Sequence, residues 1–131
     1  MEKLTDVRGM AVVKIKRDAD KFDQCQIEMA TAIIATILTE LRKANLPDDQ
    51  LKELVTGIAF HVCCILDGSQ VFGKGENDIF PVVTFQADGC ADDEAFSCGG
   101  GSYMHEYVHG LVDAWFPPKK TIGFDPSGKG Q

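Results

Sequence analysis

The sequence predicts a single α+β domain with an N-terminal strand, two long antiparallel helices, a small antiparallel sheet and a C-terminal helix. The prediction depends on two observations. Segments with apolar residues at helical spacing alternate with short segments rich in β-branched and aromatic residues. The 131 residues, 44% hydrophobic and 25% charged, suit one compact globular domain. We assign this domain to residues 1–116 and expect residues 117–131 to form a loosely ordered polar tail.

The N-terminal half begins with a short strand and continues into a long helix. Residues 10–16 end in alternating apolar and basic side chains, which predicts a strand with one solvated face. The first helix is predicted over residues 20–44. Its middle is apolar almost all round, so we expect a homodimer or higher homo-oligomer that buries part of it. Its main apolar row is Phe22, Cys25, Met29, Ile33 and Ile37, and a second row is Ile27, Ile34, Leu38 and Leu41.

A break at residues 45–49 separates this helix from a second one. Pro47 has a φ angle suited to a first helical turn, and the two acidic residues that follow complement the helix dipole. The second helix is expected to end near Gly68, because glycine readily adopts the left-handed cap conformation. The short connection predicts an antiparallel helix pair. Apolar residues of the second helix recur at heptad-like spacing, at Leu51, Val55, Ile58, Val62 and Ile65.

The C-terminal half predicts the small antiparallel sheet and a last helix. Residues 71–72 and 79–85 are the two predicted strands, joined by a glycine-rich turn, and Pro81 favours an edge position for the second. Residues 87–101 are predicted to form an acidic loop. Ser102 is placed to cap the last helix, which ends before two consecutive prolines.

The charge distribution argues against a nucleic-acid partner. The net charge is −7, and residues 79–116 contain six acidic side chains and no lysine or arginine. Such a region repels phosphate groups and attracts cations. The uncharged stretch of residues 29–39 is shorter than the roughly 18 apolar residues that cross a bilayer, and the N-terminus lacks an apolar signal segment. We therefore expect a cytoplasmic protein that binds neither nucleic acid nor membrane.

The chain has five cysteines, two of which are adjacent. The odd count and the adjacent pair favour reduced thiols. Cys25, Cys63 and Cys64 have apolar neighbours and are predicted to be small core residues. Cys90 and Cys98 lie in the predicted acidic loop, where both pairing and metal binding stay open.

Residues 105–109 form an H-E-x-x-H motif within the predicted last helix. Histidines four residues apart share one helix face and can bind one zinc ion, and the glutamate between them can take a proton from zinc-bound water. In these five residues the sequence resembles the zincin metallopeptidases. The resemblance implies His105 and His109 as zinc ligands and Glu106 as the general base. Zincins need a third ligand. Asp113 and Asp125 are available downstream of the motif, Glu94 lies upstream, and His61, on an apolar row of the second helix, is a further candidate from outside the motif.

Two functions stay open at this point. We favour a small non-enzymatic homo-oligomer that binds a ligand or a protein and needs no cofactor, because packing patterns dominate the sequence and no active site is complete. The alternative is a zinc-dependent hydrolase that uses residues 105–109. Under the first hypothesis the two motif histidines lie on the solvated face of the last helix, whose core stripe is complete without them. That stripe is Met104, Val108, Leu111 and Trp115.

Overall fold

The structure, a computed structural model, describes residues 12–73, 78–97 and 102–117. In chain order its elements are β1 (Lys14–Arg17), α1 (Ala19–Arg42), α2 (Asp48–Leu66), β2 (Glu94–Ser97), a 3₁₀ helix (Met104–Tyr107) and α3 (Val108–Trp115). The mixed helix and strand content agrees with the predicted α+β class. The predicted tail lies outside the described residues except for its first residue, as does the start of the predicted N-terminal strand.

α1 confirms the first long helix, and its buried row combines members of both predicted apolar rows with two residues that neither row contains. The helix begins after Asp18, whose carboxylate accepts a hydrogen bond from the Lys21 backbone N–H at 3.0 Å. Gln26 and Ala30 belong to neither of the apolar rows predicted from the sequence, yet both are buried. Ala30 presents no side chain beyond its methyl group, and the Gln26 amide donates to Ser102. The buried row is Phe22, Gln26, Ala30, Ile34 and Leu38.

α2 confirms the second predicted helix and packs against both α1 and α3. The connection turns at Asn45, whose φ of 53° is left-handed, and α2 ends before Gly68, whose φ is 80°. One face of α2 supplies the centre of the core together with residues of α1 and of the last helical segment. The buried residues of this face are Leu51, Val55, Ala59 and Cys63.

The sheet is parallel, so the predicted antiparallel sheet is wrong. β1 pairs with β2, with Lys14 opposite Glu94. Parallel strands need a long connection between them, and here α1 and α2 lie within that connection. The sequence pattern carries no information about such a distant partner. β2 also lies inside residues 87–101, which were predicted to be a loop, and it buries Ala95 and Phe96.

The two strands predicted at residues 71–72 and 79–85 form only single antiparallel bridges. Phe72 pairs with Ile79, and Phe85 pairs with Phe96 of β2. Pro81 lacks a backbone N–H, which removes one donor from any continuous ladder between these positions.

The last helix is divided into the 3₁₀ helix and α3, and Ser102 does not cap it. The Ser102 hydroxyl instead donates to the Asp23 carboxylate and accepts from the Gln26 amide at 3.2 Å. The residue before the 3₁₀ helix is Tyr103. The hydrogen bonds of Ser102 therefore connect the start of the last helical segment to α1.

Of the three cysteines predicted to lie in the core, Cys63 is buried, whereas Cys25 and Cys64 are partly buried. Burial raises the pKa of the Cys63 thiol to about 11, so this thiol stays protonated at neutral pH. Cys98 lies outside the described residues. None of the helices among the described residues combines the length and the apolarity needed to cross a membrane.

Candidate functional site

The carboxylate of Asp67 connects the end of α2 to the start of the 3₁₀ helix. Its side chain is only 2% exposed. One oxygen, Oδ1, accepts from the Ser69 backbone N–H at 2.9 Å. The other, Oδ2, accepts from both the backbone N–H of His105 at 3.0 Å and its ring Nδ1 at 2.6 Å. A buried carboxylate with three donors is a strongly held group, because each bond is charge-assisted.

The imidazole of His105 is fixed on its ring faces and at one nitrogen. The Tyr103 ring stacks on it with centroids 5.8 Å apart, and the Phe60 ring meets it edge-on at 5.2 Å. Because the Asp67 carboxylate can only accept, Nδ1 carries the hydrogen of their bond; the Ser69 hydroxyl lies 3.2 Å from the same nitrogen. Chemistry at this histidine therefore depends on Nε2.

Two opposing effects set the charge of Asp67. Burial by itself raises the pKa of this carboxyl group, because a charged form is poorly solvated in the interior. Hydrogen bonds from Ser69 and His105 outweigh that effect, so the pKa lies below its ordinary value of 3.8. Asp67 is therefore negatively charged at neutral pH.

The three histidines singled out in the sequence lie around one phenylalanine. The Phe60 ring centroid is 5.8 Å from that of His61, 5.2 Å from that of His105 and 5.7 Å from that of His109. An aromatic ring therefore contacts all three imidazoles.

The polar contacts of the three histidines differ. His105 faces Asp67, whereas His61 Nδ1 lies 2.7 Å from the carbonyl oxygen of Gly57, one turn earlier in α2. His109 lines a polar groove with Lys52 and Asp113. Across residues 12–73, 78–97 and 102–117, no three side chains of the metal-ligating types come together as a group that could hold an ion.

The local helix geometry changes inside the H-E-x-x-H motif. His105 and Glu106 belong to the 3₁₀ helix, and His109 belongs to α3. The i, i+4 register that brings two imidazoles onto one face applies to a continuous α-helix, whereas a 3₁₀ helix has three residues per turn. Glu106 Oε1 accepts from the Tyr103 backbone N–H at 2.7 Å, so its carboxylate stabilises the start of the helix.

The sequence patterns did not identify Asp67, Phe60 or Gln26 as site residues. In the sequence, the neighbouring Gly68 indicates only the end of a helix, and the contact of Asp67 with His105 spans 38 residues. The one local clue is the Asp-x-Ser sequence at Asp67 and Ser69, which is typical of a side chain that accepts from the backbone two residues later. Comparisons of the chain with protein-family models, with curated proteins and with solved structures gave no match.

Proposed function

We propose that this chain is a non-enzymatic binding protein that pairs with a second copy of itself through the outer face of α2. The observation that carries the proposal is a row of large apolar side chains on α2 with no covering element in the described chain. Leu54 is 42% exposed, Ile58 is 40% exposed and Ile65 is 38% exposed. With His61, which is also exposed, they form what we call the α2 seam.

The α2 seam has the spacing of a helix-pairing surface. Its members follow one another at intervals of four, three and four residues, which is the a/d repeat of a coiled coil. A neighbouring face of α2, about 100° around the helix axis, is already buried in the core. An exposed apolar stripe with this spacing is typical of a helix that packs against the apolar stripe of another helix.

An antiparallel two-fold pairing suits this seam. It places Leu54 of one copy against Ile65 of the other, and Ile58 against His61. The acidic residue at the edge of the seam, Glu53, would then lie about 20 Å along the helix axis from its equivalent in the second copy. A parallel pairing would instead set two like charges side by side.

Gly57 lies at the edge of the seam, beside Leu54 and Ile58. A Cβ atom built on Gly57 would meet nothing within 4 Å, so the helix surface is open there. A glycine inside a helix lowers stability by about 1 kcal/mol relative to alanine. The close approach of a second helix at this position would offset that loss.

The area of the seam sets the expected strength of pairing. α2 has 19 residues and is about 28 Å long, which alone offers less than the roughly 800 Å² per partner of a standard interface. The segment that follows α2 exposes further apolar side chains and can extend the contact. We therefore expect a dimer in the micromolar range. The exposed residues of that segment are Val71, Phe72, Ile79, Phe80 and Val82.

We therefore expect the pairing surface to lie on α2, whereas the sequence suggested α1. The apolar length of α1 suggested that this helix is covered by a second subunit. In the structure its apolar rows pack largely within the chain, and Ile27, which is 36% exposed, is its exposed large hydrophobic residue. Ile27 therefore provides a matched control for a substitution in the α2 seam.

Ile58→Glu is expected to weaken dimerisation about 100-fold, or about 2.7 kcal/mol, because each copy would move a carboxylate from water into the apolar seam. Sedimentation equilibrium over micromolar concentrations measures the dissociation constant directly. Gly57→Leu fills the opening without adding charge and is expected to weaken pairing as well. Ile27→Glu makes the same chemical change on α1 and is expected to leave the dissociation constant unchanged.

Two outcomes would overturn this proposal. A wild-type chain that stays monomeric at every concentration would exclude self-association. A dimer that dissociates in Ile27→Glu but not in Ile58→Glu would place the contact on α1, as the sequence alone suggested.

The zinc-hydrolase alternative has less support from the geometry. Its general base, Glu106, is engaged by the Tyr103 backbone, and His105 and His109 have different polar surroundings. These contacts support the binding-protein proposal over the hydrolase, and we assign no hydrolytic step to these residues.

Substitutions of Glu106 separate the two hypotheses. Glu106→Ala is expected to lower the free energy of unfolding by about 1 kcal/mol, because the Tyr103 N–H loses its acceptor. Glu106→Gln keeps an acceptor oxygen and is expected to behave like wild type in urea unfolding. A zinc-dependent peptidase activity in the wild type that Glu106→Gln abolishes would instead favour the hydrolase.

A further inference from the structure

A small cleft lies between the start of α1, the end of α2 and residues 80–83. Its volume is about 230 Å³. Three aromatic side chains, Phe22, Phe80 and Tyr103, line it. The cleft is thus small, and its walls are largely aromatic and aliphatic, which suits a ligand with a compact apolar body.

The polar part of the cleft is negative. Asp67 is the one charged side chain that lines it within the described part of the chain, and no lysine or arginine does so there. The lowered pKa of Asp67 keeps its carboxylate ionised at neutral pH. A second carboxylate, Asp23, accepts from Gln26 and Ser102, both of which line the cleft.

We propose that this cleft binds a small organic cation, an alkylammonium group with a compact apolar body. Aromatic faces attract such cations through the ring quadrupole, and a nearby carboxylate adds a longer-range attraction where water is displaced. A small anion would meet only repulsion from Asp67. A hydrated metal ion would find few free oxygen ligands on aromatic walls, because the Asp67 carboxylate already accepts three hydrogen bonds.

The test compares two probes of nearly equal shape, choline and 3,3-dimethylbutan-1-ol, with the full chain. The second has a tert-butyl group where choline has a trimethylammonium group and therefore lacks the charge. Titration followed by amide chemical shifts is expected to show saturable binding of choline at the cleft. The neutral probe is expected to bind at least tenfold more weakly.

Two single substitutions locate the site. Phe80→Ala removes an aromatic wall, and because Phe80 is 54% exposed the core should tolerate the change. It is expected to weaken choline binding at least fivefold. Phe72→Ala removes an exposed ring of the same chain segment that does not line the cleft, and is expected to leave choline binding unchanged.

Each other outcome overturns the proposal. Equal binding of the two probes would make the cleft a site for neutral apolar groups. No saturable binding of choline would show that it takes no organic cation of this size. Equal loss in Phe72→Ala and Phe80→Ala would place the bound choline outside the cleft.

Discussion

Asp67→Ala is expected to lower the free energy of unfolding by about 3 kcal/mol, because it leaves two half-buried donors of His105 and one exposed donor of Ser69 without an acceptor. The backbone N–H and ring Nδ1 of His105 both lose their partner, and so does the backbone N–H of Ser69. A chain of this size has a total stability of about 5–15 kcal/mol, so the loss is a large fraction. Urea unfolding followed by circular dichroism measures it.

The exposed ion pair between Lys52 and Asp113 provides the matched control. Its N–O distance is 3.0 Å, and the two side chains are 44% and 64% exposed. Asp113→Ala breaks this pair and is expected to change the free energy of unfolding by less than about 1 kcal/mol, because water screens exposed charges. Equal losses in Asp67→Ala and Asp113→Ala would mean that the connection between α2 and the 3₁₀ helix contributes no special stability.

The same carboxylate gives the stability a defined pH dependence. The pKa of Asp67 is lower in the folded chain than its ordinary value of 3.8. The unfolded chain therefore takes up a proton first as the pH falls. The contribution of Asp67 is fully present above that ordinary value and is lost as the pH falls through the lower folded pKa. The stability difference between wild type and Asp67→Ala is accordingly expected to be constant near neutral pH and to shrink below about pH 4.

The helices could be predicted from the sequence because their determinants are local. The break at Pro47 and the turn at Gly68 each depend on the backbone preferences of one residue. The parallel pairing of β1 with β2 has no such determinant. It joins segments about 80 residues apart, and the four residues of β1 are all exposed, so no buried pattern indicates their partner.

The candidate site likewise has features that the sequence predicts and features that it does not. The H-E-x-x-H motif can be found in the sequence because it is contiguous, but its geometry depends on whether one α-helix runs through it. The structure ends the 3₁₀ helix at Tyr107, between the two histidines. The contact of Asp67 with His105 and the position of Phe60 among the three histidines arise only when α2 packs against the last helical segment.

The buried row of α1 shows why hydropathy alone misplaces a helix face. Ranking side chains by hydrophobicity favours Ile33 and Ile37 over Ala30 and Gln26. Packing selects differently, because Ala30 is completely buried and Gln26 is buried with its amide bonded to Ser102. Ile34, one residue after Ile33, is a large and completely buried member of that row.

Replacing each of these neighbouring isoleucines by alanine, in separate variants, tests which of them belongs to the core face of α1. Ile34 is fully buried, so Ile34→Ala is expected to lower the free energy of unfolding by about 3–4 kcal/mol through lost burial and the cavity left behind. Ile33 is partly buried at the edge of the core, so Ile33→Ala is expected to cost less than half as much. Urea unfolding at one low protein concentration, where the chain is monomeric, compares the two variants. If Ile33→Ala cost more than Ile34→Ala, the main apolar row predicted from the sequence, which contains Ile33, would be the true core face of α1.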